Sequence, residues 1–364
     1  MRIVLLALVS AVAFAQSSDV AALRNQAAQA RDRNQASEAI RLYRECVHRQ
    51  PGWTEGWWYL GTLLYDQSSF APAREALAKV VLLEPQSPPA AWALLGLAEF
   101  ETKNYQDSLQ HLDRSFIGDS PSDPFGRAAR YHAALLLTRS GQFEAALKRL
   151  AQISVPEAQT PEVTRAIGVA ALRMPIFASD TPPAQQGIVD AVGAAMFDSF
   201  VRRERDAEAK FQELLKKYPE RAELHHIHCV LLLTSDPEAA IRECRREIEI
   251  SPRHVPARLQ IAFELLKQGD GTKALPYARE ALALDPGSFA AHNALGQAFA
   301  ETGDLKRAIV ELEKAVALAP DSAETHMSLA SAYAKAGRAQ DATREHEIFR
   351  KLRKLRESGP GDNK

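Results

Sequence analysis

Prolines stand 34 residues apart at Pro252, Pro286 and Pro320. Glycines keep the same step at Gly269, Gly303 and Gly337, and alanines at Ala274, Ala308 and Ala342. A period of this length, held by three residue types, describes a stack of similar units. Each unit buries its apolar face against its neighbours, and no single closed core is needed. Such stacks present extended surfaces, so the period moves the functional question from catalysis towards binding.

Residues 288–322 show what one unit contains. Ala291, Leu295, Gly296 and Phe299 recur at helical spacing, and Gly303-Asp304 then turns the chain. Leu305, Ala308, Ile309, Leu312 and Ala315 form the apolar stripe of a second amphipathic helix. Asp321 and Ser322, after Pro320, offer side-chain oxygens to cap the next helix. Gly296 and Ala308 fall where two antiparallel helices would cross, and only a small residue there lets the axes approach. Proline ends the second helix because it has no amide hydrogen for the helix interior. The unit is a helix–turn–helix hairpin.

This pattern resembles the tetratricopeptide repeat. The second unit carries Trp57, Leu60, Gly61, Leu64, Ala73, Leu77 and Pro85, and the third Trp92, Leu95, Gly96, Ser108 and Leu112. The last carries Leu329, Ala330, Tyr333, Gly337, Ala342 and Phe349, and the first Ala27, Ala39, Tyr43 and Pro51. The resemblance implies an all-α, right-handed α-solenoid whose inner groove is lined mainly by the first helices of the hairpins.

Along the chain, Met1-Arg2, the apolar run Ile3–Val12 and Ala13-Phe14-Ala15 read as a secretory signal peptide, residues 1–15. Export to the periplasm or beyond is the expectation. Residues 16–157 hold about four units, with proline-rich insertions before the third and fourth. Residues 158–187 read as a broken repeat and connector: Ile167, Gly168 and Ala171 suit a first helix, but Pro175, Pro182 and Pro183 stand where a second is due. Residues 188–357 hold five further units and a basic capping helix, and residues 358–364 are a polar tail.

Formal net charge is −1, which gives no general attraction to nucleic acid or to an anionic membrane. No catalytic motif is present: GxGxxG, GxxxxGK[ST], GxSxG, HExxH and CxxC are all missing. No cofactor, catalytic residue or metal site is expected. The cluster His225, His228 and Cys229 shares a helix face and could ligate zinc or copper. Even 34-residue spacing, however, places His228 at the packing position of Gly296. His292 and His326 fall where Trp57 and Trp92 stand. Cys229 and Cys244 lie on the two helices of one hairpin and are the only reasonable disulfide pair. Their heights look about a turn apart, which leaves the pairing open. Cys46 reads as a buried thiol.

Helical spacing from each unit's register assigns the inward face of the first helices. It gives Trp58, Thr62, Tyr65, Leu97, Phe100, Tyr131, Leu135, His225, Leu232, Leu259, Phe263, Asn293 and Gln297. Aromatics interleaved with amides suit an extended or helical peptide. The expected function is a non-enzymatic scaffold holding a peptide or protein partner in that groove. The alternative is an assembly factor of a cell-envelope complex, acting through its convex face or C-terminal helix.

Overall fold

The computed structural model describes residues 19–116 and 124–357; the expected signal segment and the polar tail lie outside them. The chain divides into two compact units, up to Ile153 and from Ser154. All regular structure among the described residues is helical.

The N-terminal unit stacks four hairpins. They are α1 (residues 19–32) with α2 (Ala36–Arg49), α3 (Thr54–Asp66) with α4 (Phe70–Leu83), α5 (Pro89–Glu101) with α6 (Tyr105–Arg114), and α7 (Pro124–Arg139) with α8 (Phe143–Ile153). Each hairpin packs on the next, and Tyr43, Leu77, Leu95, Leu112 and Leu150 are almost wholly buried along the stack. At the crossings an added Cβ on Gly61 or Gly96 would lie 2.7 or 2.8 Å from Cγ of Leu77 or Leu112. The glycine there is a steric requirement of the close approach. Ser108 shares the crossing, and its hydroxyl donates to the Gly96 carbonyl at 2.7 Å.

The C-terminal unit contains α9 (Pro161–Ala171), α10 (Pro183–Phe200) and α11 (Glu204–Lys217), then four further hairpins. These are α12 (Leu224–Leu232) with α13 (Pro237–Ile250), α14 (Val255–Lys267) with α15 (Gly271–Leu284), α16 (Phe289–Glu301) with α17 (Leu305–Leu318), and α18 (Ala323–Lys335) with α19 (Ala339–Glu357). Ser288, Ser322, Asp270 and Asp304 cap their helices, each accepting a backbone N–H from the residue three places on.

The prolines of the connector do not exclude a helix. Pro183 opens α10 at its first turn, where its fixed φ fits and its missing N–H would have had no partner. The second helix that seemed missing after α9 is therefore α10 itself. It is 18 residues long, packs back on α9 and also forward on α11. An added Cβ on Gly168 would lie 2.0 Å from the Val189 carbonyl oxygen, and one on Gly193 1.9 Å from that of Thr164. The two helices thus touch backbone to backbone. Arg165 clamps the same crossing, with both donors 2.8 Å from the Asp190 carboxylate.

Hairpin turns share one device, a residue with positive φ that reverses the chain. It is Gly141, Gly269, Gly303 or Gly337 in some turns and Asn34, Ser68, Lys103 or Arg202 in others. The α12–α13 turn has no such residue, and the opposed crossing positions on its two helices lie one residue closer in sequence. Even spacing fails there. Gly61 opposes Leu77, Gly96 opposes Leu112 and Gly296 opposes Leu312, each pair 16 apart in sequence, whereas Cys229 opposes Cys244 at a separation of 15. The place of Gly296 is therefore held by Cys229 and not by His228. The two cysteines stand level, their Cα atoms 5.4 Å apart, and form a disulfide. Cys46 is a buried free thiol.

Candidate interaction face and the histidine cluster

Two sets of positions alternate on the first helices. One set packs inward between helices. Trp57, His225, His292 and His326 hold equivalent places in their hairpins, and each ring N–H donates to the carbonyl of the proline six residues earlier. The acceptors are Pro51 at 2.8 Å, Pro219 at 3.0 Å, Pro286 at 3.2 Å and Pro320 at 3.0 Å. The periodic proline thus ends a helix and also supplies the acceptor that fixes the next one. Trp and His alternate at this place because both are flat rings carrying an N–H. In the histidine hairpins the other ring nitrogen meets a glutamate of the second helix. The distance is 2.6 Å for each of His225–Glu243, His292–Glu311 and His326–Glu345.

The other set, one step round the helix, carries the residues expected to face a groove. Trp58, Thr62, Tyr65, Phe100, Tyr131, Leu135, Leu259, Phe263 and Gln297 are partly exposed, while Leu97 and Asn293 are buried. Tyr65 lies edge-on to Phe70 at 5.3 Å, and Phe100 to His132 at 4.7 Å, so these rings also pack within the stack. Gln297 donates to Ser328 Oγ at 3.1 Å, linking neighbouring first helices. Asn293 Oδ1 is buried with no hydrogen-bond partner. Trp58 lines an apolar slot of about 260 Å³ with Thr54, Val80, Pro88 and Ala91, rimmed by Glu55 and Glu84.

The one-residue-shorter separation of the α12 and α13 crossing positions displaces α12 from an even 34-residue count. His225 occupies the inward place of Trp57, and His226 and the exposed Val230 take the places equivalent to Trp58 and Thr62. Leu232 is half-buried and lines a crevice of about 600 Å³ between α11 and the end of α12. The signal that locates this slip in the sequence is the proline period: Pro219 stands 33 residues before Pro252, where Pro252, Pro286 and Pro320 keep a step of 34.

The histidines and carboxylates around α12 form a connected cluster of charged contacts. His228 Nε2 lies 3.0 Å from Glu208, and His228 Nδ1 lies 3.6 Å from Glu243. His254 Nε2 lies 3.0 Å from Glu223, with the His226 ring 4.6 Å from that of His254. Glu247, fully buried, accepts the backbone N–H groups of Glu223 and His226. Burial works against charge on His225 and His228, but hydrogen bonds to their glutamates outweigh it and raise both pKa values. Burial likewise opposes ionisation of Glu223 and Glu243. Their histidine partners prevail and lower both to about 2.

Glu223, His226 and His254 come close enough together to ligate a metal ion. The tautomer argues against it. His254 Nδ1 accepts the Ala257 N–H at 3.0 Å, so the neutral ring carries its proton on Nε2, which faces Glu223. A metal at Nε2 would require that proton to leave and the helix cap to break. Arg173 also stands 3.9 Å from Glu223 and disfavours a second cation. The trio seen in the sequence fares no better, because Cys229 is consumed by its disulfide.

These shifts set a pH window. The lowered glutamates stabilise the fold above their ordinary pKa of about 4.3, and that stabilisation is lost as pH falls towards about 2. The raised histidines stabilise it below their ordinary value of about 6.5, and that part is lost as pH rises through their folded values. The C-terminal unit is expected to be most stable between about pH 4.5 and 6.5. All four tryptophans lie at or before Trp92. A urea transition seen by far-ultraviolet circular dichroism but silent in tryptophan fluorescence therefore reports the C-terminal unit. A midpoint for that transition that is flat or rising from pH ~6 to ~8 would contradict the assignment.

The family model of the tetratricopeptide repeat matches residues 24–91, 60–124 and 259–323. These spans fall on α1 to α6 and on α14 to α17. Among solved structures, the MamA RS-1 ArsTM double mutant aligns with 20% identity over 46% of this chain and 95% of its own, at a TM-score of 0.41. A crystal structure of MamA aligns with 16% identity over 45% of this chain and 96% of its own, at 0.40. The APC/C hetero-tetramer Cut9–Hcn1 aligns with 14% identity over 90% of this chain and 65% of its own, at 0.39. No curated protein matches the chain.

Proposed function

Because the chain is a tetratricopeptide repeat protein, we propose that it is a non-catalytic scaffold that binds a peptide or protein partner, exported to the periplasm or outside the cell. The observation that carries the binding reading is the alternation on the first helices. One set of side chains is spent on packing, and a second set of rings, amides and aliphatics stays partly open beside it. Partly open rings bury a partner's apolar side chains, and a part-open amide such as Gln297 holds its backbone. Two features support export. The pattern of residues 1–15 is that of a signal peptide, and the Cys229–Cys244 disulfide suits an oxidising compartment.

The test is a pull-down with the chain beside a variant carrying Trp58→Ala, Tyr65→Ala and Phe263→Ala, its helical circular dichroism first shown unchanged. A partner captured by the wild type and lost by the folded variant supports the first-helix face. A partner retained by both transfers function to the second helices or to α19, the alternative reading. Exposed Val310, Leu318 and Leu355 on α17 and α19 favour that alternative.

A further inference from the structure

We propose that the seam between α11 and α12 is a proton-gated hinge, closed by a doubly protonated His228 that bridges Glu208 on α11 and Glu243 on α13. The ring is 3% exposed; Nε2 is within hydrogen-bond distance of Glu208 at 3.0 Å, while Nδ1 faces Glu243 at an ion-pair separation of 3.6 Å and has no hydrogen-bond partner. Carboxylates only accept, so both contacts are attractive only when both ring nitrogens carry protons. The neutral ring keeps a proton for only one of them, and the other nitrogen then turns a buried lone pair on a partly exposed carboxylate, which removes the tie between the elements on that side.

The neighbouring contacts decide which side yields. Towards α13, α12 is held by the Cys229–Cys244 disulfide and by the His225–Glu243 hydrogen bond at 2.6 Å. The backbone N–H groups of Glu223 and His226 are also tied to Glu247. Towards α14, Glu223 pairs with His254 beside His226; towards the end of α9, Arg173 stands 3.9 Å from Glu223. Arg221, before α12, reaches only Gln185, at 3.5 Å. Towards α11 the charged contact is His228 with Glu208, backed by the Phe211 ring stacked at 6.1 Å. At nine residues α12 is short, and the crevice of about 600 Å³ already parts its end from α11. Loss of the proton therefore opens this side, widening the crevice at Leu231 and Leu232 and uncovering Phe211.

Hydrogen exchange of the full disulfide-bonded chain tests this, with amide protection corrected for intrinsic rates between about pH 5.5 and about pH 8.5. Protection of α11 and α12 is expected to fall as pH rises, by up to about tenfold per pH unit above the His228 pKa. Protection of α3 and α4, which contain no histidine, is expected to stay level. His228→Gln is expected to flatten the α11–α12 profile. Should that variant fail to fold, Glu208→Gln preserves size and is expected to move the loss of protection to lower pH. The proposal is overturned if wild-type α11 and α12 change no more than α3 and α4, if His228→Gln keeps the wild-type slope, or if Glu208→Gln leaves the profile in place.

Discussion

Gly193→Ala is expected to destabilise the C-terminal unit by about 3 kcal/mol or more, at the upper end of overpacking effects. The added Cβ would stand 1.9 Å from the Thr164 carbonyl oxygen, which is backbone and cannot rotate away. Relief requires α9 and α10 to separate, and separation breaks the Arg165–Asp190 pair and uncovers the buried Ile167 and Val189. Gly187 supplies the control. It lies on the same helix with nothing within 4 Å of its Cβ position, so Gly187→Ala is expected to be neutral or to stabilise by about 0.5–1 kcal/mol. Urea midpoints by circular dichroism separate the two cases. Equal midpoints for both alanine variants would show that the helices do not cross at Gly168 and Gly193.

Reduction of the Cys229–Cys244 bond is the second large effect expected, about 3 kcal/mol for a loop of 15 residues. The link takes the place of the Gly–Leu contact that closes other hairpins, and α12 is too short to replace it with apolar area. Thiol titration in denaturant checks the premise: one reactive group before reduction, from Cys46, and three after it. Three groups before reduction would remove the bond from the account. With the bond present, dithiothreitol is expected to lower the urea midpoint of the transition invisible to tryptophan. The tryptophan-reported transition of the N-terminal unit is expected to hold still.

The architecture was legible in the sequence because three residue types mark the same joints in successive units. Proline marks the helix end, glycine the turn and alanine the crossing, each for a steric reason that does not depend on neighbours. Legibility failed where the reason was relational. Pro182 and Pro183 look like breakers until α10 is seen to begin at them. The pairing of Gly168 with Gly193 is set by helix approach across 25 residues, which no local pattern announces. In α12, counting back in 34-residue steps from Gly296 gave an offset of one residue, because the chain between the two crossing positions of that hairpin is one residue shorter than in the others. That single residue hid the level placement of the cysteines and exchanged the faces of His225 and His226. Helical spacing separated two faces of the first helices, but it set the buried Leu97 and Asn293 and the packed His225 on the open one. The glutamate partners of the histidines did not, since they lie 18 and 19 residues away on the opposing helix.

Arrays of this kind ordinarily vary in length by gaining or losing whole hairpins, each with its own pair of partners. Helix α10 limits that freedom here, because it is the main partner of both α9 and α11, and α11 packs only lightly on α12. Excising it with either neighbour leaves the remaining helix with a bare apolar stripe, Ile167 in one case and Phe211 in the other. The three helices are thus inherited or lost together, and the chain can lengthen on either side of them but not within.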